Sequence, residues 1–142
     1  MKTYRLIISL LLIAPFIACT SQPVKKEVKE NANNSDKIEA YYFHFTARCT
    51  TCKTIEAKAK ENLETLYPNQ VKQGLITFQS VNLDEAASKP LAEKLGVTGQ
   101  TLLLVKGDQK INLTNEGFMY AVAKPEKFKE IINEKVDGLL IK

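Results

Sequence analysis

The chain of 142 residues contains no tryptophan, a single histidine and only three cysteines. One histidine excludes a multi-histidine metal site within one chain and argues against a Ser-His-Asp hydrolase. A strong net charge is lacking as well. The net +4 includes Lys2 and Arg5, which lie in a segment read below as removed, so the other 124 residues carry +2 with Lys and Glu interleaved. That field is too weak and too mixed to draw nucleic acid. There is no internal repeat, and the length suits one domain rather than two. Hydrophobic residues at 44% and charged residues at 25% exclude wholesale disorder. A domain of this size buries roughly two-thirds of its unfolded surface, so it needs neither disulfide nor metal to stay folded.

A long hydrophobic run is also missing. Leu6 to Ile17 is apolar except for Ser9 and Pro15. As a helix it would span about 18 Å, short of the roughly 30 Å hydrocarbon core of a membrane. With Lys2 and Arg5 before it and the small Ala18 after it, the segment has the pattern of a secretory signal peptide. Phe16-Ile17-Ala18-Cys19 resembles a bacterial lipobox, with Phe16 where that family usually has Leu. The resemblance implies that residues 1–18 are a lipoprotein signal peptide and that Cys19 becomes the acylated first residue of the mature chain. The protein is then held in the lipid bilayer through Cys19 and faces the periplasm or another extracytoplasmic space. Residues 19–37 follow as a tether. Only Val24 and Val28 are sizeable apolar residues there, among Lys, Glu, Asn and Ser. Such a composition cannot offset its ordering entropy, so a flexible linker is expected, with an r.m.s. reach of about 20–25 Å.

From residue 38 the composition changes. Ile38 to Phe45 is aromatic-rich and apolar on both parities, the pattern of a strand covered on two faces. Ile55, Ala59, Leu63 and Leu66 recur at helical spacing between Thr54 and Tyr67, and Pro68-Asn69 ends that helix. Leu75 to Leu83 reads as a strand. Glu85 to Leu95 reads as a short helix interrupted near Pro90 and closed by Gly96. Thr101 to Val105 is a buried strand, Gly107-Asp108 a turn, and Lys110 to Thr114 an edge strand of a hairpin. Pro125 opens a last helix with Phe128, Ile131, Ile132 and Val136 on one face. The order β-α-β-α-β-β-α predicts an α/β domain over 38–142, with a mixed central sheet and helices on both faces. Strands separated by helices predict parallel pairs, and the hairpin predicts one antiparallel pair.

The chemistry lies between the first strand and its helix, in Arg48-Cys49-Thr50-Thr51-Cys52-Lys53. Two cysteines three apart at a helix start can close a small disulfide ring without moving the backbone. They lie outside the apolar stripe of the helix, which argues against two inert core cysteines. Unpaired N–H groups and the positive end of the helix dipole favour an anion, so Cys49 is expected to titrate below the ordinary thiol value of about 8.5. Arg48 adds positive charge in the same direction. Cys49 is the candidate attacking thiolate and Cys52 the candidate resolving thiol. Thr50 and Thr51 fill the active-site loop. His44, alone on a strand, reads as a packed or edge residue.

A C-x-x-C inside a β-α-β pattern brings a family into view. Residues 38–142, about three-quarters of the chain, resemble a thioredoxin-fold domain. Phe45-Thr46-Ala47-Arg48-Cys49-Thr50-Thr51-Cys52-Lys53 resembles the active-site loop of that family, and Val81-Asn82-Leu83-Asp84-Glu85 the end of its next strand. Leu95-Gly96-Val97-Thr98-Gly99-Gln100-Thr101 and the strand and turn that follow resemble the loop, central strand and turn that face the cysteines. Three positions depart from the pattern. Gln100 stands where the family has a cis-proline before Thr101, Phe43 where it has a buried acid, and Arg48 where it has tryptophan. A cis bond before a non-proline residue costs about 2.5–4 kcal/mol, so a trans Gln100 and a reshaped loop are expected. The Gln100 amide can then approach the sulfurs, or leave them open to another ligand.

The resemblance implies an extracytoplasmic thiol-disulfide oxidoreductase acting on protein or small-molecule disulfides and dithiols, with no organic cofactor. It also implies a membrane thiol reductant as a partner where the compartment is oxidising. Two other classes use the same features. A Cu(I) or zinc chaperone or sensor would bind metal through the C-x-x-C, although a closed zinc site needs four ligands. A redox-inactive lipoprotein would use the fold as a docking surface only.

Overall fold

The computed structural model describes residues 36–141. The signal segment 1–18, the acylation position Cys19 and the tether up to residue 35 lie outside the described residues. Ten short elements follow one another. They are β1 (Ile38–His44), α1 (Thr50–Leu66), α2 (Pro68–Lys72), β2 (Ile76–Asn82), a 3₁₀ turn (Ala86–Ser88), α3 (Lys89–Leu95), β3 (Thr101–Lys106), β4 (Gln109–Asn112), α4 (Thr114–Tyr120) and α5 (Pro125–Leu140). Among the described residues no helix is long and apolar enough to cross a membrane.

The strands form one mixed sheet in the order β2-β1-β3-β4. The alternating pattern of β1 decides how it is covered. Ile38, Ala40 and Tyr42 point to one face, where they meet Ile55, Ala59 and Leu63 of α1 and Phe128, Ile132, Val136 and Leu139 of α5. Tyr41 and Phe43 point to the other, where they join Val81, Leu103, Val105 and Ala92 of α3. Each fully buried Ile, Leu, Val or Phe among them contributes about 1.5–3 kcal/mol, so both faces hold β1 in register. The result is a thioredoxin-like α/β fold with helices on both faces of the sheet.

Three expectations about connectivity are corrected. First, β1 and β2 are parallel, Ile38 opposite Ile76 and His44 opposite Asn82, but β1 and β3 are antiparallel, with Phe43 opposite Thr101. The chain enters β3 at the end of the sheet where β2 left it. Helix α3 has seven residues and spans about 10 Å, less than half the length of β2. Second, Pro68 ends α1 and also opens α2, because a proline at the first helical position loses no hydrogen bond. Third, β4 ends at Asn112 and a short helix, α4, precedes α5. The Asn112 side-chain carbonyl accepts the Thr114 N–H at 2.9 Å and turns the chain.

Candidate active site

The loop from β1 to α1 is tied to the end of β2. Asp84 Oδ2 accepts the Thr46 N–H at 2.7 Å, and Asn82 Nδ2 donates to Thr46 Oγ1 at 3.0 Å. The Thr46 N–H, with the Thr46 hydroxyl behind it, holds the Asp84 carboxyl below its ordinary value. His44 closes β1 as a buried residue. One ring nitrogen pairs with Ser80 Oγ at 3.0 Å and the other with the Phe45 carbonyl at 2.8 Å. Its place is that of a packed side chain.

This loop delivers Cys49 to the N-cap of α1. The Cys49 backbone is extended, and its sulfur accepts the Cys52 N–H at 3.3 Å. The first turn of α1 carries no acidic residue, so nothing in that turn offsets the positive end of the helix dipole. Cys49 and Cys52 are joined as a disulfide, with their Cα atoms 5.2 Å apart. Cys49 is exposed and Cys52 is only 6% exposed. Cys52 continues the stripe of Ile55, Ala59 and Leu63 by one turn. It therefore lies on the apolar stripe, contrary to the sequence expectation, because α1 begins at Thr50 rather than Thr54.

The other predicted site residues lie in the first turn of α1 and at the start of β3. Thr50 is exposed, and its carbonyl accepts the Thr54 hydroxyl at 3.0 Å. Thr51 is half-buried. Thr101 begins β3 opposite Phe43, and its hydroxyl donates to the Gly99 carbonyl at 3.0 Å. No described peptide bond is cis. Gln100 Nε2 donates to Tyr42 Oη at 2.5 Å, so the amide is engaged by the phenol of β1. Burial pushes the Tyr42 hydroxyl up to about 12, with the Gln100 amide acting against that shift. Phe43 lies in the opposite core cluster, wholly buried.

One residue escaped the sequence analysis. Glu56 falls within the Lys/Glu run of α1 that reads as a solvated face. In the structure its carboxylate is ion-paired with Arg48 Nη1, both side chains being 21% exposed. The signal available was its spacing: Glu56 follows Cys52 by four residues, on the same side of the helix. Arg48 thus carries a carboxylate partner beside the cysteines. Among the described residues, no group of three or more His, Cys, Asp or Glu side chains is gathered as a metal site.

No family model matches the chain, and no curated protein matches it. Among solved structures the chain is similar to the germline-specific thioredoxin Deadhead of Drosophila melanogaster, at 18% identity over 71% of this chain and 83% of that one, with a TM-score of 0.45. It is similar to Fasciola hepatica thioredoxin at 21% identity, over 71% of this chain and 83% of that one, with a TM-score of 0.44. A malarial protein is similar at 20% identity, over 52% of this chain and 74% of that one, with a TM-score of 0.38.

Proposed function

We propose that this protein is a thiol-disulfide oxidoreductase, lipid-anchored through Cys19 and facing an extracytoplasmic compartment. The observation that carries the redox reading is the asymmetry of one bonded pair: Cys49 exposed at the N-cap of α1, Cys52 buried one turn inside. That asymmetry suits a two-step exchange. In the reducing direction, the Cys49 thiolate attacks a partner disulfide, forms a mixed disulfide and releases the first partner thiolate. Cys52 then loses its proton and attacks Cys49 Sγ, which breaks the mixed disulfide and releases the second thiolate. The partner gains two electrons, its two thiolates take up the Cys52 proton and one from water, and the Cys49–Cys52 disulfide is formed. The oxidising direction is the reverse. The N–H of Cys52 and the helix end support Cys49 as the thiolate.

The anchor rests on the charged start, the twelve-residue apolar run and Phe16-Ile17-Ala18-Cys19. Acyl chains on Cys19 contribute about 0.8 kcal/mol per buried CH₂, and more than one makes the attachment stable. A membrane thiol reductant would return the pair to the dithiol.

The test is a redox titration of the full-length chain carrying Cys19→Ser, in thiol buffers, with free thiols trapped at each poise. A single two-electron transition lost in Cys49→Ser is expected. A midpoint near thioredoxin's roughly −270 mV identifies a reductant, and one near about −120 mV a disulfide donor. Absence of any intramolecular disulfide at every poise would overturn the redox reading. For the anchor, fatty-acid labelling of the wild-type chain should vanish in Cys19→Ala.

A further inference from the structure

The Arg48–Glu56 ion pair spans the stretch of chain that holds both cysteines. Arg48 directly precedes Cys49, and Glu56 stands one helical turn beyond Cys52. Side chains of a helix lean toward its N-terminus, so the Glu56 carboxylate is carried back toward the cysteines. Both partners are only 21% exposed, which weakens screening of their charges by water. The buried Tyr42 hydroxyl under α1 is influenced by both, raised by the Glu56 carboxylate and lowered by the Arg48 guanidinium, after the larger effects of burial and Gln100. The two charges are therefore close to the floor of the site as well as to each other.

We propose that Glu56 sets the redox poise of the Cys49–Cys52 pair by holding Arg48 in an ion pair and cancelling the positive charge that would otherwise favour the Cys49 thiolate. The inference rests on the thiol-disulfide reading above. Glu56 acts through Arg48 and is a positioning residue.

The sign follows from the half-reaction. Reduction takes up two electrons and two protons to give the dithiol, one proton fewer where Cys49 stays a thiolate. Whatever stabilises that thiolate favours the reduced form and makes the pair more oxidising. A lone guanidinium beside Cys49 would do so, whereas a neutral pair has a field that falls away faster with distance. In the reduced protein the thiolate and the Glu56 carboxylate compete for one cation. Other ionisable groups on the elements around the turn are Asp84, which accepts the Thr46 N–H of the loop, Tyr42 and His44 on β1, exposed Lys53 on α1, and Glu116 and Tyr120 on α4, which packs against α1 at Ile55. None of them is the ion-pair partner of Arg48, so a change at Glu56 acts first on that guanidinium.

The experiment compares full-length chains carrying Cys19→Ser, either otherwise wild type or with Glu56→Gln, Glu56→Asp or Arg48→Met. The readouts are the redox midpoint and the pH profile of Cys49 alkylation. Glu56→Gln should shift the dithiol-disulfide equilibrium three- to tenfold toward the dithiol, about 15–30 mV more positive. Its alkylation should extend to lower pH. Arg48→Met should move both readouts the opposite way, and Glu56→Asp, which keeps the charge, should stay near the parent. If the ion pair only steadied the fold, Glu56→Gln would lower the unfolding midpoint and leave both readouts unmoved, which would overturn the inference. A shift of Glu56→Gln to more negative potential would overturn it too. The parent chain separates the two levels: if it never cycles, the redox reading fails, and if it cycles while Glu56→Gln is silent, only the role of Glu56 fails.

Discussion

A methyl group on Gly117 of α4 would stand 2.9 Å from Cγ2 of Ile55 in α1. Ile55 is 1% exposed and follows Cys52 by three residues, so the glycine lets α4 lie against α1 immediately below the disulfide. Alanine favours a helix interior over glycine by about 1 kcal/mol, yet here it meets a stiff β-branched side chain. Gly117→Ala is expected to destabilise the protein by about 1–3 kcal/mol through overpacking. Gly138, exposed on α5 with nothing within 4 Å of an added methyl, is the control. Gly138→Ala should stabilise by about 0.5–1 kcal/mol. Urea unfolding of both variants checks the pair, and the same sign for both would refute the tight contact.

Tyr67 pins the end of α1 to α5. Its hydroxyl donates to Asp137 Oδ1 at 2.7 Å and lies 2.9 Å from Asn133 Oδ1. Burial, with the Asp137 carboxylate beside it, pushes this hydroxyl well above the ordinary phenol range. Tyr67→Phe keeps the ring and removes the bond, and should cost about 1.5–3 kcal/mol, the range for hydrogen bonds to charged groups. Denaturant midpoints measure it, and a loss of only a few tenths of a kcal/mol would mean that water replaces the hydroxyl without penalty.

Alkaline pH should unfold the protein through its tyrosines. Burial pushes Tyr41, next to Glu39, and Tyr42 each up to about 12. A raised folded value means that the unfolded chain gives up its phenolic protons first, from about pH 10. The stability these groups contribute is therefore complete below about pH 10 and is lost as the pH rises toward 12. Urea midpoints across that window should fall, and tyrosinate absorbance should rise together with unfolding. Phenols that all titrate near pH 10 in the folded protein would contradict the burial argument.

The active-site geometry shows where local pattern suffices. Two residues three apart at a helix start are neighbours by helix geometry alone, so the closeness of Cys49 and Cys52 was legible without any tertiary contact. The two-sided covering of β1 was legible too, because both parities are apolar. The exposure of Cys49 against the burial of Cys52 was less so. It depends on α1 starting at Thr50, and that start is stabilised by the Cys49 cap and by Asp84 reaching Thr46 from 38 residues away.

By itself, then, the sequence determined the four strands, the helices α1, α3 and α5 with most of their apolar faces, and the position of the cysteine pair. Those are consequences of periodicity and of chemistry within one or two helical turns. Tertiary structure alone decided the rest. The direction of β3 depends on where the chain re-enters the sheet after α3, a matter of span rather than of pattern. The helix α4 forms around a central glycine because α1 offers Ile55 to pack on. Gln100 meets Tyr42 from 58 residues away, and Arg48 meets Glu56 across a helix cap. A charged or polar side chain in sequence shows what it can pair with. Only packing selects which partner is near enough to be taken in place of water.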